Sequence, residues 1–162
     1  MVANWVKIVT MASFLALTSI APAQAAVTAK NANGSSISIN KIVFSKPTQI
    51  TVTGRGFDET VGIYLALCVM PKKGQLPTPC GGGVNKAGLG ESSYWISSNP
   101  PPYGQGLAIE YLPGGRFSQK VSITKRIGKF DCTKVKCAIT VRADHIRESD
   151  RSRDIFIPIT FK

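Results

Sequence analysis

The sequence has 162 residues and a formal net charge of +11, from 20 Lys and Arg against 9 Asp and Glu. The length allows one domain. The apolar fraction of 43% is too high for a disordered chain and too low for a protein with several membrane spans. A single His and few carboxylates leave few candidates for acid–base catalysis.

The first 25 residues have the pattern of a secretory signal peptide. Lys7 precedes an apolar run from Ile8 to Ile20, and Ala23-Gln24-Ala25 forms a small-x-small cleavage site. The run is shorter than the roughly 20 residues of a membrane-spanning helix, so we expect no transmembrane segment after cleavage. We therefore predict a secreted or cell-surface protein. Residues 26–34 are expected to be a flexible lead-in, and residues 35–162 to be a single domain.

An even number of cysteines in an exported chain predicts disulfide bonds. Cys68, Cys80, Cys132 and Cys137 allow three pairings, and loop entropy alone does not choose among them. A zinc site is disfavoured because neither local pair has C-x-x-C spacing and only one His is present. We predict no metal and no cofactor.

Short runs that alternate apolar and polar residues, bounded by Gly and Pro, predict an all-β fold. The runs are Ile37–Ile39, Gln49–Thr53, Val61–Cys68, Arg116–Ile123, Cys137–Arg142 and Asp154–Phe161. One more strand is expected within residues 92–112, which gives the seven strands of a β-sandwich. Pro158 inside the last run indicates a sheet edge or a bulge at that position.

The stretch from Cys80 to Gly115 is rich in Gly and Pro and contains Trp95 and Tyr103. Long irregular loops are uncommon in compact domains and are often functional. Two interpretations stay open: the aromatic residues fold this loop back onto the sandwich, or they belong to a surface that binds a ligand or partner.

Several segments, taken in order, resemble the neocarzinostatin family. They are Ile50–Phe57 (V-T-V-x-G-x-G-F/L), Val61–Cys68, Gly114–Arg126 (G-x-F-x-x-x-L-x-V), Phe130–Cys137 and Ile155–Phe161. The resemblance covers most of residues 37–162. It implies an immunoglobulin-like, seven-stranded antiparallel sandwich with the local disulfides Cys68–Cys80 and Cys132–Cys137.

The same resemblance implies a function. Known members are exported apoproteins that hold a reactive enediyne chromophore in a cleft beside the first disulfide, and similar domains accompany haem-uptake modules. This sequence differs from the carriers in three respects. The hairpin before the second cysteine pair is reduced to Lys125–Phe130, Met70 stands where the best-known carrier has Trp, and the charge is basic where the carriers are acidic.

We therefore expect a non-enzymatic, monomeric binding protein whose cleft is bounded by Cys68, Met70, Cys80, Trp95 and Tyr103. The expected ligand is a small apolar molecule, and an anionic cell-envelope polymer is the alternative that the charge suggests. Nucleic acid is disfavoured because the basic residues are scattered and no nucleic-acid-binding module is recognisable. A structural or adhesive module without a pocket is a further alternative.

The polar segment 142–154 contains two other candidate features. Asp144 beside His145 would suggest an acid–base pair, but neighbours on a strand point to opposite faces, so a direct pair needs a turn. No G-x-S-x-G motif is present, and we expect a polar loop held by Arg–Asp ion pairs. A haem-binding accessory protein is also considered, with His145, Tyr94, Tyr103 or Met70 as axial ligand.

Overall fold

The computed structural model describes Met1 and residues 25–81, 89–90 and 93–162. Most of the predicted signal peptide, residues 2–24, therefore lies outside the described residues, as do positions 82–88 and 91–92 of the long Gly- and Pro-rich stretch. Among the described residues, none belongs to a helix with the length and apolar character that a membrane crossing requires.

The described residues form an all-β fold. Its strands are β1 (Val27–Lys30), β2 (Ser36–Ile39), β3 (Val43–Phe44), β4 (Thr48–Arg55), β5 (Ile63–Val69), β6 (Leu89–Gly90), β7 (Ser93–Ile96), β8 (Phe117–Ile123), β9 (Arg126–Ile127), β10 (Phe130–Asp131), β11 (Cys137–Ala143) and β12 (Ile155–Phe161). Short 3-10 turns occur at Pro102–Gly104, His145–Arg147 and Arg151–Arg153.

The strands assemble into two facing sheets and a small hairpin. The larger sheet has the order β3-β12-β11-β5-β7-β6, the smaller has the order β1-β2-β4-β8, and β9 pairs with β10. All pairings are antiparallel except that between β3 and β12. The predicted β-sandwich is thus confirmed.

The seven predicted strands are present as β2, β4, β5, β7, β8, β11 and β12. The described chain contains five more, which are two to four residues long. Four of them have two residues, too few for an alternating pattern, and β1 is exposed at three of its four residues, which explains why the sequence did not reveal them. One of them corrects the expectation for residues 26–34, because β1 is hydrogen-bonded to β2 and is not a flexible lead-in.

The core lies between the two sheets and follows the predicted alternation. Strand β5 contributes Ile63, Leu65 and Leu67, and β11 contributes Cys137, Ile139 and Val141. These side chains pack in one cluster with apolar residues from β2, β4, β8 and β12. Full burial of each large aliphatic side chain stabilises the fold by about 1.5–3 kcal/mol, so this layer holds the sheets together.

Two disulfides join the pairs that the family resemblance implies, Cys68–Cys80 and Cys132–Cys137.

Pro158 lies opposite Ala138 of β11, while the other neighbour of β12, strand β3, pairs only with Thr160 and Phe161. At Pro158 the strand is therefore a sheet edge, as predicted, and the missing N–H removes no ladder bond on the unpaired side.

Candidate ligand-binding site

The outer face of the larger sheet carries most of the predicted site residues. Alternation along β5 sends Tyr64, Ala66 and Cys68 away from the core, and the cross-strand register adds Trp95 of β7 and Arg142 of β11 beside Tyr64. The Cys68–Cys80 bond lies on the same face and ties the following loop to the sheet.

The middle of this outer face is lined by small side chains that are almost fully buried. They are Ala66, Cys68, Ser93, Ala138 and Thr140, each 5% exposed or less. Strand β11 is buried along its whole length, on both faces. These positions are therefore inaccessible to a ligand in this structure.

At one end, aromatic side chains gather around Trp95. The rings of Tyr64, Tyr103 and His145 lie 5.1–6.5 Å from the Trp95 ring, measured between centroids. Gly104 packs against the Trp95 ring, and a β-carbon at that position would overlap the ring. Trp95 is buried, whereas the Tyr103 side chain is 64% exposed and covers it from the solvent side.

Hydrogen bonds fix the geometry of this aromatic cluster. Trp95 Nε1 donates to Asp144 Oδ2 at 3.1 Å, and the fully buried Asp144 also caps the His145–Arg147 turn through Ile146 N. His145 lies between two phenols, with Nδ1 2.5 Å from the Tyr64 hydroxyl and Nε2 2.7 Å from the Tyr103 hydroxyl. Burial, with a contribution from Asp144, raises the pKa of Tyr64 to about 12.

These contacts show that the Asp144 and His145 side chains bond other residues and not each other. The turn that such a pair needs is present, but the Asp144 carboxylate bonds Trp95 and Ile146, and the imidazole bonds two tyrosines. The adjacent residues thus serve separate structural partners. Segment 142–154 is a polar loop held by ion pairs, as predicted, including Arg151–Asp154 at 2.9 Å and Arg153–Asp150 at 3.3 Å.

A cavity of about 310 Å³ lies on the outer face, between the loop after β5 and the start of β12. One wall is the loop after β5, with Met70, Lys72 and Lys73, and the other wall is formed by Arg151, Asp154 and Phe156. A second cavity of similar volume lies within the loop at residues 97–110 and is lined mainly by polar groups such as Ser97, Gln105 and Glu110.

Asp154 is the most unusual residue of the first cavity. Its side chain is 9% exposed, and Oδ2 is 2.9 Å from Arg151 Nη1. Within the described part of the chain, Oδ1 is buried and lacks a hydrogen-bond partner. Burial raises the pKa of Asp154 to about 6, against the opposing effect of Arg151. Buried acceptors of this kind are rare in native proteins.

The five predicted site residues therefore fall into separate regions. Trp95 and Tyr103 belong to the aromatic cluster beside Tyr64, whereas Met70 lies beyond the far end of β5 and lines the cavity. The facing wall of the cavity lies at the same end as the cluster, because Ile155 is level with Val141 and Leu65. Cys68 and Cys80 lie between the cluster and Met70 as a structural bond. The outward-facing Phe156 and the wall formed by Arg151 and Asp154 were not identified from the sequence.

The candidate metal and haem ligands are likewise divided. Among the described residues, no group of three or more His, Cys, Asp and Glu side chains is arranged to hold a metal ion. Tyr103 and His145 are in contact, whereas Tyr94 packs against the core and Met70 lies at the opposite end of the sheet.

Fold and site together define a disulfide-linked β-sandwich with an aromatic cluster and a cavity on one outer sheet face. No protein-family model matches the sequence, and no curated protein does so. A solved structure of macromomycin superposes with a TM-score of 0.50 and 12% identity, over 80% of this chain and 100% of that chain. At this identity the likeness shows the fold alone. The two disulfides also point to an extracellular protein.

Proposed function

We propose that this protein is a secreted, non-enzymatic binding protein that holds a small, partly apolar ligand in the cavity between the loop after β5 and the start of β12. The observation that carries the proposal is the cavity itself, with Met70 and Phe156 on facing walls. Its volume of about 310 Å³ is at the lower end of the range for small-molecule sites.

Both walls of the cavity are anchored. The loop after β5 is held by the Cys68–Cys80 bond and by Met70 N, which donates to Lys136 O at 2.9 Å. The facing wall is held by the Arg151–Asp154 ion pair. A site whose walls are fixed before binding loses little conformational entropy when a ligand enters, which favours affinity.

Native mass spectrometry of the protein purified from its own culture medium tests the proposal. We expect a co-purifying small molecule that is retained by the wild type and lost from a Phe156→Ala variant. Leu112→Ala removes an apolar side chain that is 51% exposed and does not line the cavity, and it should retain the ligand. A ligand held equally by both variants would place binding elsewhere and contradict the proposal.

A second candidate function is haem binding at Tyr103. The Tyr103 side chain is 64% exposed, and its hydroxyl is 2.7 Å from His145 Nε2. Tyrosinate is an established axial ligand of haem iron, and the exposed Tyr103 ring is accessible to a ligand of that size. Titration with haemin should then shift the Soret band, and Tyr103→Phe should abolish the shift; an unshifted wild-type spectrum excludes this function.

A further inference from the structure

The charges around the cavity are distributed unevenly between its two walls. Lys72 and Lys73 are exposed on the loop after β5, and no acidic residue lies among the lining residues on that wall. On the facing wall the positive charge of Arg151 is balanced by Asp154 at 2.9 Å. The uncompensated positive charge at this cavity is therefore concentrated on the lysine side.

The apolar and polar parts of the lining also occupy different positions. Met70 and Phe156 provide the apolar surface, and both side chains are half-buried. Asp154 contributes a carboxylate whose Oδ1 has no hydrogen-bond partner among the described residues. The facing wall therefore contributes a carboxylate, whereas the loop after β5 contributes two ammonium groups.

From this arrangement we propose that the ligand of the cavity is an amphiphilic anion, with its apolar body between Met70 and Phe156 and its acidic group against Lys72 and Lys73. The assignment rests on the proposed function, since it names the ligand class of the same site. The Asp154 carboxylate repels a ligand anion from the facing wall, so the two walls together fix the orientation of the molecule.

Two fluorescent probes with the same ring system test this assignment. Anilinonaphthalene sulfonate carries an acidic group, and phenylnaphthylamine lacks it; both are titrated into the purified mature protein after any co-purifying small molecule has been extracted. We expect the sulfonate probe to bind at one site and at least about fivefold more tightly than the uncharged probe. Its affinity should fall as salt is raised, because both lysines are exposed and are screened.

Matched variants separate local from general charge effects. Lys72→Gln combined with Lys73→Gln should weaken the sulfonate probe about five- to tenfold and leave the uncharged probe unchanged. Lys46→Gln combined with Lys120→Gln removes the same charge from exposed positions outside the cavity and should leave both probes unchanged. Phe156→Ala should weaken both probes. Thermal melts verify that every variant is folded.

Each other outcome has a definite meaning. If both probes bind equally and the Lys72 and Lys73 variant changes neither affinity, the anion assignment is overturned while the proposed binding function stands. If the control lysine variant weakens the sulfonate probe as much, attraction by the net charge explains binding and the assignment is again overturned. If neither probe binds, the cavity is not a ligand site and the proposed function fails too.

Discussion

Substitution Asp144→Ala should destabilise the fold more than any other change in the polar loop. The carboxylate is fully buried and accepts hydrogen bonds from Trp95 Nε1 at 3.1 Å and Ile146 N at 3.1 Å. A buried indole N–H without an acceptor costs about 1–3 kcal/mol, and loss of the cap on the turn costs about 1 kcal/mol more. We therefore expect a loss of about 2–4 kcal/mol in the free energy of unfolding.

Urea denaturation measures this loss, and Trp95 is its natural reporter. The sequence contains two tryptophans, and Trp5 lies within the predicted signal peptide, so the mature protein has a single indole next to the substituted carboxylate. Far-UV circular dichroism provides an independent signal for the same transition. Coincidence of the two signals verifies that unfolding is two-state and that a free energy can be extracted.

Asp150→Ala is the matched control for this experiment. Asp150 caps the neighbouring 3-10 turn through Ser152 N and pairs with Arg153, but its side chain is 32% exposed and contacts no buried indole. Its loss should cost about 1 kcal/mol or less. If Asp144→Ala and Asp150→Ala cost the same, the buried Trp95–Asp144 bond does not stabilise the fold and the reasoning is refuted.

Three further predictions concern titration and the disulfides. Burial raises the pKa of Tyr64 to about 12, so the folded state holds the phenol proton more tightly than the unfolded chain does. The resulting contribution to the stability of the fold is fully present below pH 10 and is lost as the pH rises to about 12. Thermal melts between pH 9 and 12 should therefore show a shallower decline for Tyr64→Phe than for the wild type. The pKa of Asp154 is raised to about 6, so the contribution of this group is fully present below its ordinary pKa and is lost as the pH rises through about 6. Asp154→Asn should flatten the stability profile between about pH 4 and 6 in urea titrations; an unchanged profile would contradict the assignment. Replacing Cys68 and Cys80 by Ala should cost roughly 3 kcal/mol, against roughly 2 kcal/mol for the shorter Cys132–Cys137 loop, in the same urea assay. A reversed order would mean that native-state strain, and not loop entropy, decides the effect.

Several strands could be predicted because their burial differs between the two faces. In β8 the buried Phe117, Val121 and Ile123 alternate with more exposed residues, and the same alternation of apolar and polar residues is visible in the sequence. Strand β1 has no such difference, since three of its four residues are exposed, and it is held by backbone pairing with β2. Hydrogen bonds of the backbone leave no residue signature, which is why the lead-in was misjudged.

The candidate site was harder to predict for a related reason. The two walls of the cavity, at residues 70–75 and 151–156, are about 80 positions apart in the sequence and belong to loops or strand ends. Their approach depends on the register between β5, β11 and β12, which periodicity does not determine. Trp95 illustrates the same limit, because the sequence predicted a strand within residues 92–112 without its bounds, and the structure places Trp95 on β7, opposite Tyr64.

The buried middle of the outer sheet face bears on which ligand the sandwich can accept. A ligand seated directly on that face would have to reach Ala66, Ala138 and Thr140, and each of these residues is at most 4% exposed. These residues are inaccessible to a ligand in this structure, whereas the cavity at Met70 and Phe156 is already formed. Two of the basic residues behind the net charge of +11 lie on the rim of that cavity, at Lys72 and Lys73. In the assignment proposed above, this part of the positive charge binds the acidic group of the ligand, a ligand chemistry different from that expected for an acidic carrier with the same fold.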